Sequence, residues 1–271
     1  MRILLTNDDG ISSPGLFAVK KALEKYGEVA VIAPDQNRSA IGRSITIAES
    51  LDVLEITFSD GTRGFSTNGT PVDCVRLASL GFLDWEPDIV VSGINLGPNL
   101  GDDITYSGTV AAAFEGVMLG IPAIAVSIER PGGWKVIGNE GVFYFDRVAS
   151  FAARLAEKLV DNELPGPVLL NINSPNLEAP DINGAEVTRL GKRIYRDQLV
   201  EEAPGGNGGK RFKIYGDDPS YHEEEGTDFH ALAQQKISVT PIHFALTNLA
   251  GMDMIRDLGL DSLLDNDSPA G

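Results

Sequence analysis

Short apolar runs alternate with longer amphipathic stretches along the first two-thirds of the chain, a pattern that predicts βαβ units around a parallel sheet. Ile3-Leu4-Leu5 is a continuous apolar run, as a strand buried on both faces requires, and it gives way to Asn7-Asp8-Asp9-Gly10. Ser13-Pro14-Gly15 then offers an N-cap followed by proline at the first helical position. Leu16, Val19, Ala22 and Leu23 form the stripe of a helix that Gly27 is placed to end. Glu28 to Ala33 reads as a second strand, followed by Pro34 and the polar loop Asp35-Gln36-Asn37-Arg38-Ser39. From Ser44 to Phe65, polar and apolar residues alternate about Ser59-Asp60-Gly61, which predicts a β-hairpin decorating the core. Thr70-Pro71-Val72-Asp73 carries the cap, proline and acidic third residue of a helix start, and capping accounts for Thr70 and Asp73 in full.

Asp88 to Ser92 is the next buried strand, and Gly93 through Thr109 reads as a long loop of the kind that usually serves function. An alanine-rich helix, Val110 to Leu119, is set to pack tightly on the sheet. Strands at Ala123–Ile128 and Pro167–Asn173 flank an amphipathic helix near Phe145 to Leu159. These elements predict a Rossmann-like, three-layer α/β core over residues 1–190 with a mostly parallel sheet. Residues 191–235 are polar and loop-rich, with Pro204 to Gly209 as a hairpin tip and Glu223-Glu224-Glu225 as solvated surface. Residues 236–250 return to the core through a strand, Ile237 to Leu246, whose Pro241 favours a sheet edge. Residues 251–271 form a short amphipathic helix, Met252 to Leu264, and a frayed tail.

Composition narrows the function. The 271 residues are 42% hydrophobic and 7% aromatic, enough for one large core with an extension. No stretch approaches the roughly 20 apolar residues of a membrane span, and Met1-Arg2-Ile3 runs into a strand rather than a signal peptide, so the expectation is a cytoplasmic protein without a membrane partner. Cys74 stands alone and reads as a small buried helix residue. A net charge of −17, from 22 basic and 39 acidic residues, disfavours DNA as a partner. An anionic substrate must therefore be drawn in locally, by a cation or by helix ends, which screening beyond about 8 Å permits.

The candidate chemistry lies where strands end. Ligands of α/β sheets bind at the carboxyl ends of strands, and the adjacent carboxylates of Asp8 and Asp9 repel each other unless something positive intervenes. A divalent cation resolves that repulsion; an Asx-rich turn is the other reading of the same residues. Ser107-Gly108-Thr109 begins a helix and offers backbone N–H groups, hydroxyls and a dipole to an anion, although an ordinary N-cap explains the same residues. Right-handed βαβ connections put strand exits on one rim, which brings Ser39 towards Asp8 and Asp9, beside the loop of Asn95 and Asn99. Carboxylate, hydroxyl and amide oxygens are hard donors, suited to magnesium, manganese or calcium rather than zinc. His222, His230 and His243 lie far along the chain and read as structural or surface residues. Neither G-x-G-x-x-G nor G-x-x-x-x-G-K-[ST] follows the first strand, which argues against nicotinamide and P-loop chemistry. Trp85, Trp134 and Tyr106 are candidates to stack on a base, though burial explains the tryptophans equally well.

Together the NDDG turn, Asn37-Arg38-Ser39, the run from Ser92 through Gly101 (SGINLGPNLG) and Tyr106-Ser107-Gly108-Thr109 with Ala111, Ala112 and Glu115-Gly116 resemble the SurE, or stationary-phase survival protein, nucleotidases. Gly226-Thr227-Asp228 and Ser238-Val239-Thr240-Pro241 extend the resemblance over most of the chain. The resemblance implies a metal-dependent phosphomonoesterase acting on nucleoside 5′- and 3′-monophosphates, in some members also on short-chain polyphosphate. It implies one divalent cation per subunit held by Asp8, Asp9, Ser39 and Asn95, phosphate contacts at Ser107, Gly108 and Thr109 with Asn99 beside them, and a homodimer or homotetramer. In that assembly the 191–235 arm and the C-terminal helical segment exchange between subunits.

On this reading a water activated by the cation attacks in line while the helix start holds the phosphoryl oxygens. Asp8 or Asp9 serves as ligand or as the base that orients the water; the sequence leaves both roles open. A covalent aspartyl-phosphate at Asp8 is a rival, but enzymes of the haloacid-dehalogenase type separate their two aspartates by one residue. A nucleotide-sensing module with an inert metal site is the non-enzymatic alternative.

Overall fold

Ile3, Leu4 and Leu5 are wholly shielded in β1 (Arg2–Thr6), because this strand runs through the middle of a sheet covered on both faces. The structure, a computed structural model, describes the chain except residues 133–140, 163–165, 167, 195–196, 203–208, 217–219 and 264–271. After β1 come α1 (Pro14–Leu23), β2 (Glu28–Pro34), β3 (Val53–Thr57), β4 (Arg63–Thr67) and α2 (Pro71–Leu77). Then follow β5 (Ile89–Leu96), α3 (Gly108–Met118), β6 (Ala123–Ile128), α4 (Phe145–Asp161) and β7 (Leu169–Ser174). The remainder comprises β8 (Ala185–Val187), β9 (Arg193–Ile194), β10 (Asp197–Glu202), β11 (Arg211–Gly216), β12 (Ser220–Tyr221), α5 (Asp228–Ala233), β13 (Ile237–Ile242) and α6 (Leu249–Arg256).

Nine strands form one sheet in the order β3-β4-β2-β1-β5-β6-β7-β13-β8, with β4 through β7 parallel, β3 antiparallel to β4, and β13 antiparallel to β7 but parallel to β8. Alternate residues of each central strand serve opposite layers. Ile3 and Leu5 join α1 and α4 in one core, while Leu4 joins Cys74 and Val75 of α2 and Val110, Ala112 and Ala113 of α3 in the other. The α/β three-layer architecture thus stands as the pattern of apolar residues foretold. The chain moves from β1 to β2 on one side and to β5 on the other, so the sheet has its switch point between β1 and β5, where open α/β sheets bind ligands.

Several elements differ from expectation. The hairpin of β3 and β4 is no decoration: β4 pairs in parallel with β2 and extends the main sheet. Lys20 of α1 anchors its turn, buried between the Phe17 and Phe58 rings and paired with Glu24 at 2.6 Å and Asp60 at 2.9 Å. α1 ends at Leu23 with Glu24 as its C-cap. Gly27 instead lies against Met1, where a Cβ would sit 1.9 Å from the carbonyl oxygen. Asp88 to Ser92 continues as strand to Leu96, and Gly101–Tyr106 is a helical turn, so the long loop is mostly ordered structure. At the far side β13 stops at Ile242, and Pro241 stands where pairing with β8 has already ended at Val239, a local edge.

The 191–235 stretch is not uniform. The β10–β11 hairpin leaves Leu199, Phe212 and Ile214 exposed, whereas Phe229 and Leu232 of α5 pack against Leu100. The expected tip at 204–209 lies, but for Gly209, outside the described residues. α6 spans Leu249–Arg256, followed by a turn at Leu260–Leu263, and Met254, Ile255 and Leu258 are exposed. No helix among the described residues is long and apolar enough to cross a membrane.

Candidate active site at the carboxyl rim

The turn after β1 is held by its own asparagine. The Asn7 side chain donates to the Gly10 carbonyl at 3.0 Å and accepts from the Gly10 N–H at 3.2 Å, an Asx-type lock. Both residues between them face a cleft of about 350 Å³. Ser39 and Asn95 line the same cleft, as do Asn99 and Ser107. The loop after β2 reaches it because the Arg38 N–H donates to the Asp8 carbonyl at 2.7 Å, and Asn37 accepts from the Ser39 N–H at 2.8 Å. Three strand exits therefore converge, as the βαβ handedness required.

Asp8 is buried, and its carboxylate is served by the start of α3: the Thr109 hydroxyl and the Gly108 and Thr109 amides donate to it. Gly108 makes room for this. A Cβ there would lie 2.8 Å from the Asp8 Cβ and 2.9 Å from Oδ2. Ser107 caps the helix by accepting from the Val110 N–H at 3.1 Å. Of the residues expected at phosphate, Ser107 and Asn99 thus line the cleft, while the Gly108 and Thr109 donors are turned to Asp8. The physical reason is competition: the Asp8 carboxylate is itself an anion lying at a helix N-terminus.

Burial pushes the Asp8 carboxyl above its ordinary range, against the lowering effect of those donors. Asp9 is pushed up to about 6, first by burial and then by the negative charge of Asp8, against the Leu96 N–H and Arg130. The Asp9 carboxylate accepts from Leu96 N at 3.0 Å and from Asn37 Nδ2 at 3.4 Å. Asn95 donates its amide nitrogen to the Gly97 carbonyl at 2.7 Å, which commits the nitrogen and leaves the amide oxygen as its donor atom for a metal. Two carboxylates disfavoured as anions, an amide oxygen and a hydroxyl form a hard-oxygen set that fits a divalent cation such as magnesium or manganese.

A neutral framework lies beneath. Asn99 donates its backbone N–H to Asn173 at 2.7 Å and its side chain to Ser127 at 2.8 Å, while its carbonyl accepts from Asn171 and Asn173, both at 2.9 Å. Asp228 secures the next turn, accepting from Gly101 N at 2.7 Å and Gly191 N at 2.8 Å.

Three charged cleft residues were not singled out from sequence: Asp103, Arg130 and Arg193. Arg193 pairs with Asp103, and Arg130 follows β6 at the same carboxyl rim, the one signal that would have found it. Of the three aromatic candidates, Tyr106, 62% exposed, lines the cleft. Trp85 does not, since its indole donates to Glu28 at the amino end of β2. Trp134 lies outside the described residues. None of the three histidines lines the cleft, and Cys74 is buried with its thiol pushed up to about 12 by desolvation.

A family model described as survival protein SurE matches residues 3–197, and the cleft residues from Asp8 to Arg193 all fall within it. The chain belongs to the SurE family. It is 51% identical over 265 residues to the 5′-nucleotidase SurE of Rubrobacter xylanophilus, covering 97% of this chain and 99% of that one. The SurE-family 5′-nucleotidase of Herpetosiphon aurantiacus is 47% identical over 249 residues, covering 92% and 94%. The crystal structure of the SurE protein from Aquifex aeolicus superposes with a TM-score of 0.80 at 40% identity, covering 96% of this chain and all of that one.

Proposed function

We propose that the cleft hydrolyses nucleoside 5′-monophosphates to nucleoside and phosphate, with 3′-monophosphates and short-chain polyphosphate as further substrates. The observation that carries the reading is the pair Asp8 and Asp9: two adjacent carboxylates at the switch point of the sheet, both pushed towards the neutral form by burial. Asp8, Asp9, Ser39 and Asn95 would hold one divalent cation. When bound, that cation supplies positive charge to the phosphoryl oxygens and acidifies water.

The chain's own residues do the rest. Ser107 and Asn99 face the phosphoryl group from the cleft wall. The Gly108 and Thr109 amides, which serve Asp8 here, stand at the helix start and would meet phosphoryl oxygens where Asp8 holds the cation. Asp9 serves as a ligand or orients and deprotonates the attacking water, being within the same cleft as Ser39 and Asn95. Tyr106 offers its exposed ring to the base, and the Asn99 framework keeps the floor rigid without adding charge. The exposed apolar residues of the β10–β11 hairpin and of α6 support assembly into a dimer or tetramer.

Phosphate release is to be measured from a panel of nucleoside monophosphates, sugar phosphates and polyphosphate after EDTA treatment, with magnesium, manganese, calcium or zinc restored. The expected result is metal-dependent release that favours nucleotides. Asp9→Asn should remain folded and lose at least about a hundredfold in turnover. Saturable binding without release under every metal would replace this reading by the sensor; near-normal turnover in folded D9N would remove Asp9 from the chemistry.

A further inference from the structure

The loop that carries Ser39 reaches the cleft without a hydrophobic anchor. None of residues 35–47 is buried, and none belongs to a helix or strand. Ala40, next to Ser39, holds φ +58°, a left-handed backbone that a residue other than glycine keeps only where its surroundings impose it. The near side of Ser39 is fixed by the Arg38 N–H on the Asp8 carbonyl. The far side is held by polar ties alone. Gly42 donates its N–H to the Tyr106 carbonyl at 3.0 Å, Thr46 donates its N–H to Asp73 at 3.0 Å, and the Arg43 guanidinium donates to Glu115 at 2.5 Å.

Glu115 gives the last of these ties its stiffness. It lies on α3 with 3% of its side chain exposed, and its two oxygens are divided: Oε2 accepts from Arg43 and Oε1 from Arg76 of α2, at 2.7 Å. A carboxylate so shut away from water must keep its partners. The two arginines differ in what they join. Arg76 links α2 to α3, helices that already pack through Cys74, Val75, Val110, Ala112 and Ala113, whereas Arg43 links α3 to the unanchored loop. The Arg43 guanidinium also lies over the Phe244 ring, 4.9 Å from its centroid, so its plane is set from a second direction. Gly108 and Glu115, at i and i+7, fall on the same face of α3. One rigid helix therefore meets Asp8 at its start and Arg43 two turns on.

We propose that Arg43 is the positioning residue for Ser39: its pair with Glu115 sets the loop against α3 and so holds the Ser39 hydroxyl where a cation shared with Asp8 needs it. The assignment rests on the metal reading given under the proposed function. Arg76→Ala is the built-in control, because it takes a guanidinium from the same carboxylate and leaves the loop tie in place. Arg43→Ala leaves Glu115 paired with Arg76, so no bare charge is buried and the chain should fold.

Manganese is the probe, titrated calorimetrically into the full-length apoprotein of the parent, R43A, R43K and R76A, with hydrogen exchange over residues 39–47 followed in the absence of metal. R43A should bind manganese about tenfold more weakly while R76A stays within about threefold of the parent, since losing a residue that orients a metal ligand costs about 10- to 100-fold in affinity. Exchange in the loop should quicken in R43A and stay parental in R76A. R43K, which restores the charge without the planar fork, should recover part of the manganese affinity. Parental manganese affinity in folded R43A overturns the assignment, even with faster exchange, for the loop would then be tethered without Ser39 being placed. An equal loss in R76A overturns it too, by making Glu115 a general support of the fold. A parent chain that binds no manganese overturns the metal reading itself and this assignment with it, a failure seen before any variant is compared.

Discussion

Replacing Gly108 by alanine separates the stability of this fold from the working of its site. The residue opens α3 with ordinary backbone geometry, so alanine meets no conformational penalty there, and its intrinsic preference for helix is better by up to about 1 kcal/mol. Its Cβ, however, would stand 2.8 Å from the Cβ of Asp8, where ordinary contact begins at 3.4 Å. The clash is with an atom fixed to the backbone, so Asp8 cannot rotate away from it. Either β1's exit or the helix start must move by about 0.6 Å, and misplacement on the 1 Å scale costs reactions of positioned groups on the order of a hundredfold. Gly108→Ala is therefore expected to unfold within about 1 kcal/mol of the parent chain in urea while losing about 10- to 100-fold in kcat/KM for nucleotide hydrolysis. Parallel manganese titrations should show weaker binding, since Asp8 is a proposed ligand. A folded G108A with parental kcat/KM would refute the claim that Asp8 must rest on the bare helix start.

Other parts of the structure make independent predictions. Asp228→Asn keeps the shape but leaves an amide nitrogen facing a backbone donor, at Gly101 or at Gly191; it should cost about 1–3 kcal/mol in urea denaturation and raise KM more than it lowers kcat, because those glycines lead into Asp103, Tyr106 and Arg193. The Thr62 hydroxyl and then the Lys20 ammonium hold the Asp60 carboxyl well below the usual range. Its stabilising effect is thus fully present above the unfolded value near 3.9 and fades as pH falls through the lower folded value, so the melting-temperature gap between the parent and Asp60→Asn should shrink between pH 5 and pH 2. Cys74, buried with its thiol at about 12, should resist a thiol-reactive disulfide reagent at pH 8 until denaturant is added.

What was legible in the chain follows from how each feature is encoded. Strands buried on both faces must be apolar throughout, so β1, β5 and β6 were plain. The capping box of Thr70 and Asp73 formed as read, because its bonds join residues three apart. Ser39 came near Asp8 because handedness fixes where strand exits lie. Features made by residues distant in sequence were opaque. Gly27 looked like a helix stop, yet its use is close approach to Met1. The hairpin's parallel pairing with β2 has no local mark, since the pairing edge of a strand is set by its partner. Arg130 was hidden for a related reason: its guanidinium lies against Gly97, a residue of another strand exit distant in sequence. The competition between Asp8 and phosphate for the donors of α3 also needs both elements in place, roughly a hundred residues apart.

The cleft draws on exits from β1, β2, β5 and β6, then on Arg193 and the Asp228 clamp, while the asparagines beneath it lie on β7, which pairs with β13, the last strand of the sheet. Such wide sequence separation makes the folding of this chain a slow, non-local affair. It also means that no early stage of synthesis or refolding carries a working site, because the floor is unsupported until residues 237–242 have threaded between β7 and β8. Recovery of activity after denaturation would therefore report the last tertiary event, lagging the return of helical signal, and a growing chain would be protected from acting on nucleotides before its fold is closed.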